Sequence, residues 1–485
     1  MAHTTRPTFL WLSAALFVAT AIAGAQSSSA IPAGQTLGPT SRTGFDLRNL
    51  DRSVDACTDF YQFACGGWQA ANPIPPDRQR WGQFAQLQDR NFEILRKALE
   101  SPAPAGDIDR RKASDYYAAC MDERTIEARG QTPLTPELTR IAAVGAKSQL
   151  PALVAHLQSI GVNVFFRFGS QIDQHDARRQ IAAADQGGLG MPDRDYYLKT
   201  DTRTADIRQR YTAHVDKMLG MLKTPAARGG DALAALAIET KLATASLDRT
   251  ARRDPAATDH MMSKTEWQAL TPSFDWSAYL KAANAPDFDR LNVTVPDYFR
   301  ALNDVLTTTS LADLKVYLTW QLVNAAAEML PKRFADVDFD FFSRVLGGQE
   351  QQEPRWQRCV TQTDARLGEA LGKAFVEAAF GPAAKADTLK MVQGIEGAMK
   401  QDIEAASWMT PETKQQAEAK LEAVVDRIGY PDKWRDYSSL TVAKNDALRN
   451  MDRAIAFERR RALGKIGQPV DRAEWTMTPP TVNAY

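Results

Sequence analysis

The chain has 485 residues, more than one compact core usually holds, so we expect two or three domains or one large helical body. Hydrophobic residues make up 44% of the chain and charged residues 24%, a composition typical of a globular protein. The 59 basic and 59 acidic residues cancel, which argues against nucleic acid or an acidic membrane held by bulk charge.

The first 25 residues have the pattern of a secretory signal peptide. One arginine precedes the apolar run TFLWLSAALFVATAIAGA, which closes on Ala23-Gly24-Ala25, a cleavage signal of the A-x-A type. A membrane anchor is the alternative, but the run is short for a span, and a polar linker follows at 26–47. We therefore expect an exported protein, periplasmic or secreted, with no stable membrane anchor after cleavage. Disulfides persist in such oxidising compartments.

The stretch DACTDFYQFACGGW at 55–68 contains two of the four cysteines. Its aromatic residues recur at helical spacing, and Gly66 and Gly67 follow at the place where a helix can end in a left-handed cap. If the stretch is helical, Cys57 and Cys65 are separated by about 12 Å along the axis. A disulfide needs Cα atoms within about 7 Å of each other. We therefore predict that these two cysteines do not bond to one another.

Most of the remaining chain has apolar residues at helical spacing, which predicts a mainly α-helical fold. In the stretch 410–432, Thr410 can cap a helix, Pro411 suits its first position, the apolar stripe runs to Ile428, and Gly429 stops it. Further helices are predicted at 86–100, 111–120, 136–160, 204–222, 231–250, 311–330 and 365–380.

Two stretches in the middle of the chain differ from this pattern. Residues 162–185 have β-branched and aromatic residues, then a polar loop and a second apolar run, which predicts a β-hairpin. The glycine-rich stretch QGGLGMPDRDYYL at 186–198 lacks the motifs of phosphate-binding and dinucleotide-binding loops. We interpret it as a turn that leads into a helix.

The sequence contains no complete catalytic or metal-binding motif. Its five histidines are widely spaced: His3, His156, His175, His214 and His260. No H-x3-H pair exists, so no helix offers two imidazoles to one zinc ion. The stretch DVDFDFF at 336–342 begins like a calcium loop but has Phe341 where that loop needs glycine, and Gly347 where it needs glutamate. We predict no catalytic residue and no metal ligand set within this chain.

Seven motifs in order along the chain resemble the neprilysin-like zinc metallopeptidases, peptidase family M13. They are CTDFYQFACGGW (57–68), NPIPPDRQRWGQF (72–84), DYYAACMD (115–122), QGGLGMPDRDYYL (186–198), RWQRCV (355–360), AKLEAVVDRIGYPDKW (419–434) and MTPPTVNAY (477–485). The resemblance implies a large multi-helix domain at 48–470, which restricts entry to peptides, and the start of a catalytic domain at 471–485.

In this family the zinc site is an H-E-x-x-H helix with a further glutamate, located after the N-A-Y segment with which this sequence ends. The resemblance therefore implies the substrate-enclosing portion of a zinc metalloendopeptidase, without the zinc ligands and inactive alone. Two alternatives stay open. One is an exported, non-catalytic peptide-binding module, and the other is half of a split peptidase that a separate catalytic chain completes.

The resemblance also implies roles for individual residues. Asn483 and Ala484 match the family's N-A-[YF] segment, an edge strand that holds the substrate main chain, and Arg80 matches the binder of the substrate's free carboxylate. The cysteines carry over as well. Cys120 and Cys359 match a disulfide pair, whereas Cys57 and Cys65 match cysteines whose partners lie in the catalytic domain.

Overall fold

The computed structural model describes residues 46–222 and 231–484. The predicted signal peptide at 1–25 and most of the predicted linker at 26–47 lie outside the described residues. Among the helices that are described, none is both long and apolar enough to cross a bilayer. The chain divides into two units, Met1–Pro73 and Ile74–Tyr485.

The prediction of a mainly α-helical fold is confirmed. The described residues form nineteen α-helices: Phe60–Ala71 (α1), Gln83–Glu100 (α2), Ile108–Met121 (α3), Glu123–Arg129 (α4), Thr135–Ala142 (α5), Leu150–Ser159 (α6), Asp195–Leu198 (α7), Thr202–Gly220 (α8), Asp231–Ala245 (α9), Pro255–Thr258 (α10), Lys264–Leu270 (α11), Trp276–Ala282 (α12), Pro296–Thr308 (α13), Leu311–Ala326 (α14), Lys332–Asp338 (α15), Arg355–Ala379 (α16), Pro382–Ala405 (α17), Pro411–Glu422 (α18) and Ala447–Leu463 (α19). A π-helical turn, Phe339–Val345, follows α15.

The predicted hairpin is confirmed as two antiparallel strands, Phe166–Ile172 (β1) and Gln180–Gln186 (β2). Two strands that the sequence pattern did not indicate complete the sheet, Met261–Ser263 (β3) and Arg290–Val293 (β4). The strand order is β1-β2-β4-β3, and β4 runs parallel to β2. Because β3 and β4 have only three and four residues, they are too short to show a period of two.

An aromatic cluster packs against the hairpin. Phe166 of β1 contacts Phe274, Trp276 and Tyr279 edge to face, with ring centroids 4.8–5.6 Å apart. All four side chains are almost fully buried. Each such ring removes a large apolar area from water and adds geometry-specific contacts, so this cluster fixes the sheet against α12.

A buried carboxylate organises the interior below the glycine-rich loop. Glu239 of α9 accepts hydrogen bonds from the hydroxyls of Tyr197 and Tyr211, from Trp320 Nε1 and from Gln321 Nε2, at 2.7–3.0 Å. Burial raises the pKa of Glu239 to about 7, although these hydrogen bonds act to lower it. A Cβ atom on Gly190 would lie 2.0 Å from the Tyr211 hydroxyl, so the loop passes too close for any side chain.

The helix predicted at 410–432 is wrong in its second half. Helix α18 ends at Glu422, and residues 424–431 form an irregular loop. The Arg472 guanidinium donates to the carbonyl of Ala423, and Arg427 donates to the carbonyl of Arg472. Gly429 has φ +73°. These tertiary hydrogen bonds, between residues more than forty positions apart in sequence, outweigh the local helical pattern.

The single helix predicted at 136–160 is also wrong, because the structure has two helices there, α5 and α6. Gly145 lies between them, and its N–H donates to the side-chain oxygen of Gln149. Pro151 then occupies the first turn of α6, the one part of a helix where proline is tolerated.

Within the unit Met1–Pro73, the prediction that Gly66 and Gly67 end the helix is wrong. Helix α1 continues to Ala71, and Cys57 lies in the turn before it, so helix rise does not separate the two cysteines as expected. A Cβ on Gly67 would lie 2.2 Å from the carbonyl oxygen of Arg48. The glycines therefore allow close backbone packing, not a left-handed cap.

Candidate functional site

An open cleft of about 1040 Å³, here called the large cleft, lies among the described residues. One wall is the α2 face that carries Leu87, Arg90, Asn91 and Ile94. These positions are spaced i, i+3, i+4 and i+7, so they share one side of the helix. The other walls come from the end of α16, the loop at 423–429 and the chain at 472–484.

The segment Thr478–Ala484 lines this cleft and crosses α16 at Gly368 and Gly372, two positions that are together called the notch. A Cβ on Gly368 would lie 2.1 Å from Thr478, and one on Gly372 would lie 2.7 Å from Pro479. Two glycines spaced i, i+4 therefore make room for the segment on a single helix face. This spacing within RLGEALGK was the available sequence signal, but it does not say which distant segment approaches.

Two side-chain hydrogen bonds tie the segment to its neighbours, and a third lies within the segment. Thr478 Oγ1 donates to Asp364 Oδ2 at 3.0 Å and lies 3.0 Å from Thr481 Oγ1, and Asn91 Nδ2 donates to the Pro480 carbonyl at 2.9 Å. Burial raises the pKa of Asp364 to about 6, although the hydrogen bond from Thr478 acts to lower it. Sequence reasoning did not identify Asp364 or Asn91, because they lie more than 100 positions from the segment.

Asn483 and Ala484, which the resemblance assigned to substrate binding, line the large cleft. Both are exposed, and Asn483 Oδ1 accepts the Ala484 N–H at 2.9 Å. Residues 482–484 pair with no strand among the described residues. They also make no backbone–backbone hydrogen bond in the described part of the chain, and the substrate-binding role stays a prediction.

Arg80 lines a different cavity, here called the small cleft, of about 380 Å³. Its neighbour Arg78 is bound there by Asp89 and Glu353, both at 3.0 Å. The Arg80 guanidinium is exposed and forms no ion pair or hydrogen bond within the described part of the chain. The structure thus leaves Arg80 available to an anion but does not bring it into the cleft of Asn483 and Ala484.

The small cleft also contains a carboxyl group that resists ionisation. Burial, together with the nearby Glu328 carboxylate, raises the pKa of Asp338 to about 7. Burial likewise raises the pKa of Glu353, against the effect of Arg78. Asp338 is therefore only partly ionised at neutral pH.

The structure joins Cys120 of α3 to Cys359 of α16 in a disulfide, with Cα atoms 5.7 Å apart. Both residues are buried. Cys57 is exposed and Cys65 is half-buried, and neither is disulfide-bonded within the residues that the structure describes.

The described residues do not fit a zinc centre. Residues 46–222 and 231–484 contain no group of three or more His, Cys, Asp or Glu residues arranged to hold a metal ion. His156 Nε2 lies 2.6 Å from Glu137 Oε2, and His175 Nε2 lies 2.6 Å from Asp259 Oδ2. His214 is enclosed by aromatic rings, and His260 lies beside β3.

Comparison with known proteins gives consistent similarities. A family model described as peptidase family M13 matches residues 56–431. Endothelin-converting enzyme 1 of Homo sapiens is 31% identical, over 90% of this chain and 59% of its own length. Neprilysin-3 of Drosophila melanogaster is 29% identical, over 90% of this chain and 60% of its own length.

Among solved structures, the zinc metalloprotease ZMP1 of Mycobacterium tuberculosis in complex with an inhibitor superposes with a TM-score of 0.84 at 33% identity. The match covers 91% of this chain and 68% of that one. Against the two curated relatives named above, the chain spans about 60% of their length.

Proposed function

We propose that this chain forms the peptide-receiving part of a zinc metalloendopeptidase, because it belongs to peptidase family M13. One observation carries the proposal: a segment held on α16 lines a cleft of about 1040 Å³, and its residues 482–484 make no backbone–backbone hydrogen bond within the described chain. In this proposal, peptide-bond hydrolysis is the activity of the complete enzyme to which this part belongs.

In this proposal an extended peptide lies along residues 482–484 and pairs with their backbone. Main-chain hydrogen bonds are available to any peptide, whatever its side chains, so this edge gives affinity without strict sequence preference. The side-chain nitrogen Nδ2 of Asn483 has no partner among the described residues and would donate to the peptide main chain. The glycine notch and Asn91 hold this edge at a fixed distance from α2.

The Arg80 guanidinium in the small cleft would take the free carboxylate of a peptide, as the resemblance implies. Arginine suits this task because its planar fork meets a carboxylate with two parallel hydrogen bonds. Because Arg78 is already neutralised by Asp89 and Glu353, Arg80 is the better placed of the two to bind an anion.

In this proposal, residues 46–222 and 231–484 supply peptide binding and not the zinc centre. We therefore propose that these 485 residues do not hydrolyse peptides by themselves. Two other functions use the same binding surface: an exported non-catalytic peptide-binding module, and one half of a peptidase completed by a separate chain. Export itself is part of the proposal and rests on the signal-like sequence at 1–25.

The binding proposal is tested by titrating the purified chain into a short fluorescent peptide and recording anisotropy. We expect saturable binding that Asn483→Ala weakens several-fold. Asn445→Ala is the matched control, because Asn445 is exposed and lines neither cleft. Equal affinities of the two variants would contradict the assigned role of Asn483.

Metal content and peptide cleavage separate the remaining functions. We expect no stoichiometric zinc and no cleavage of the bound peptide by the purified chain. Stoichiometric zinc, with cleavage that a chelator abolishes, would show that the chain is a complete peptidase. Cleavage that appears only after a separate H-E-x-x-H-containing chain is added would favour the split enzyme.

A further inference from the structure

The α2 wall of the large cleft carries one charged side chain among apolar and amide neighbours. Arg90 lies between Leu87 and Ile94 in the helical register and directly beside Asn91. Asn91 is hydrogen-bonded to the Pro480 carbonyl, so the backbone that carries Arg90 is tied to the segment that ends in Asn483 and Ala484. Arg90 therefore lies in a fixed register relative to the proposed peptide-binding edge.

The Arg90 guanidinium differs from those of the other two arginines of this cleft, because they donate hydrogen bonds to backbone carbonyls. Arg427 donates to the carbonyl of Arg472, and Arg472 donates to the carbonyl of Ala423, so both hold the loop at 423–429 in place. Arg90 is exposed and has no hydrogen bond or ion pair within residues 46–222 and 231–484. It has no structural task among the described residues.

The charge of the cleft favours an anion. Its lining contains three arginines and a single carboxylate, Asp426. Apolar side chains make up much of the remaining surface, including Phe375, Phe380 and Trp475. The one guanidinium of this lining that has no partner within the described chain can meet a carboxylate with charge-assisted hydrogen bonds.

We propose that Arg90 determines specificity in the large cleft by binding a carboxylate of the peptide that lies along residues 482–484. The carboxylate belongs either to an Asp or Glu side chain or to the peptide's C-terminus, and in the second case Arg90 takes the role that the resemblance gives to Arg80. This inference rests on the proposed peptide-binding function, and it assigns a role to a residue that the sequence resemblance did not indicate. Arg80 lies in the small cleft, so Arg90 is the unengaged cation that shares a cavity with Asn483.

The test compares four versions of one short apolar peptide: neutral with an amidated C-terminus, the same with a free C-terminus, and amidated versions with one internal Glu or one internal Gln. Affinities are measured for the wild-type chain, for Arg90→Gln and for Arg111→Gln. Arg111 is the matched control, an exposed helical arginine that lines neither cleft.

We expect Arg90→Gln to weaken binding of one carboxylate-bearing peptide about tenfold or more, as expected for loss of a charge-assisted pair. Binding of the amidated neutral peptide should change less than twofold, and Arg111→Gln should change neither. Loss confined to the free C-terminus identifies that carboxylate, whereas loss confined to the Glu peptide identifies a side chain.

Two further outcomes separate this inference from the function on which it rests. If the wild-type chain binds all four peptides and Arg90→Gln alters none, the inference is wrong and the peptide-binding function stands. If the wild-type chain binds none of them, the proposed function itself fails, and the role of Arg90 fails with it.

Discussion

Two groups of helices differ sharply in how they use their apolar side chains. The inner region, here α3, α8, α9, α14 and α16, buries most of them; ten of the sixteen residues of α14 are buried. The outer pair, α17 and α18, buries only Ile403. Met391, Ile395 and Met399 form an i, i+4, i+8 stripe on α17 and are at least half exposed. An apolar stripe on a helix therefore does not mean that the stripe is buried within the described chain.

This comparison implies that the inner region carries the stability of the fold, whereas the outer pair contributes little. The largest loss of stability in the inner region is expected from removing the Cys120–Cys359 disulfide, which closes a loop of 239 residues. Chain-entropy arguments put its stabilisation on the order of 5 kcal/mol. We expect the double variant Cys120→Ala, Cys359→Ala to lose most of this stabilisation, measured as the free energy of unfolding in urea.

Cys57→Ala is the control for the disulfide, because Cys57 is exposed and unpaired within the described residues. It should leave the urea midpoint unchanged. A double variant as stable as the wild type would contradict the view that this crosslink supports the inner region.

The next largest effect is expected at the buried carboxylate of α9. Glu239→Ala leaves the buried hydroxyls of Tyr197 and Tyr211 without their acceptor. Trp320 Nε1 and Gln321 Nε2 each lose one of two acceptors and keep the Tyr211 hydroxyl and the Gly188 carbonyl, respectively. Each buried unsatisfied donor costs about 1–3 kcal/mol, so we expect a loss of about 4 kcal/mol after partial relaxation. Urea denaturation measures it.

Glu239→Gln separates charge from hydrogen bonding at the same site. Glutamine keeps the size and one acceptor oxygen, and the pKa of about 7 means that Glu239 is often neutral at pH 7. The loss should therefore be clearly smaller than for alanine. Equal losses in the two variants would show that the negative charge, and not the acceptor geometry, holds these donors.

A third test uses pH. Burial lowers the pKa of His214 to about 4 from an ordinary value of 6.5, because the imidazolium would be enclosed by Phe341, Phe342 and Trp320. Between pH 6.5 and pH 4 the unfolded chain binds a proton that the folded chain does not. Stability from this group is therefore complete above pH 6.5 and falls as the pH drops towards 4.

At pH 5.0 this linkage should remove about 2 kcal/mol relative to pH 7.5. His214→Phe should reduce the difference in unfolding free energy between the two pH values by that amount, since any packing cost is the same at both. His175→Gln is the control, an exposed histidine beside Asp259. If the free energy of unfolding of His214→Phe differs between the two pH values as much as that of the wild type, His214 is not the source of the pH dependence.

The same contrast explains what the sequence could and could not predict. The helices of the inner region were predicted because their apolar residues recur at helical spacing, and the hairpin because its polar loop separates two apolar runs. Helix α17 was not predicted; Gly394 and Gly397 weaken its intrinsic helix preference. The second half of the 410–432 prediction failed because hydrogen bonds to and from the distant Arg472 hold that loop at Ala423 and Arg427.

The candidate site divides in a similar way. The roles of Asn483, Ala484 and Arg80 came from the family resemblance alone. The shared face of Leu87, Arg90, Asn91 and Ile94 was present in the predicted helix at 86–100, but helical spacing does not reveal which face borders a cleft. The notch that receives Thr478 joins residues more than 100 positions apart, and no local pattern encodes that approach.

The smallest effect is expected on the outer pair, and it gives the sharpest test of the comparison. Ile395 of α17 is 60% exposed, whereas Leu318 of α14 is fully buried. Leu318→Ala should cost about 2–5 kcal/mol, through lost burial and the cavity that it leaves. Ile395→Ala removes a side chain of the same volume, but it should change the free energy of unfolding by less than about 0.5 kcal/mol, because alanine is the better helix former. A loss above about 1.5 kcal/mol for Ile395→Ala, measured by urea denaturation of the monomeric chain, would mean that the outer pair supports the fold.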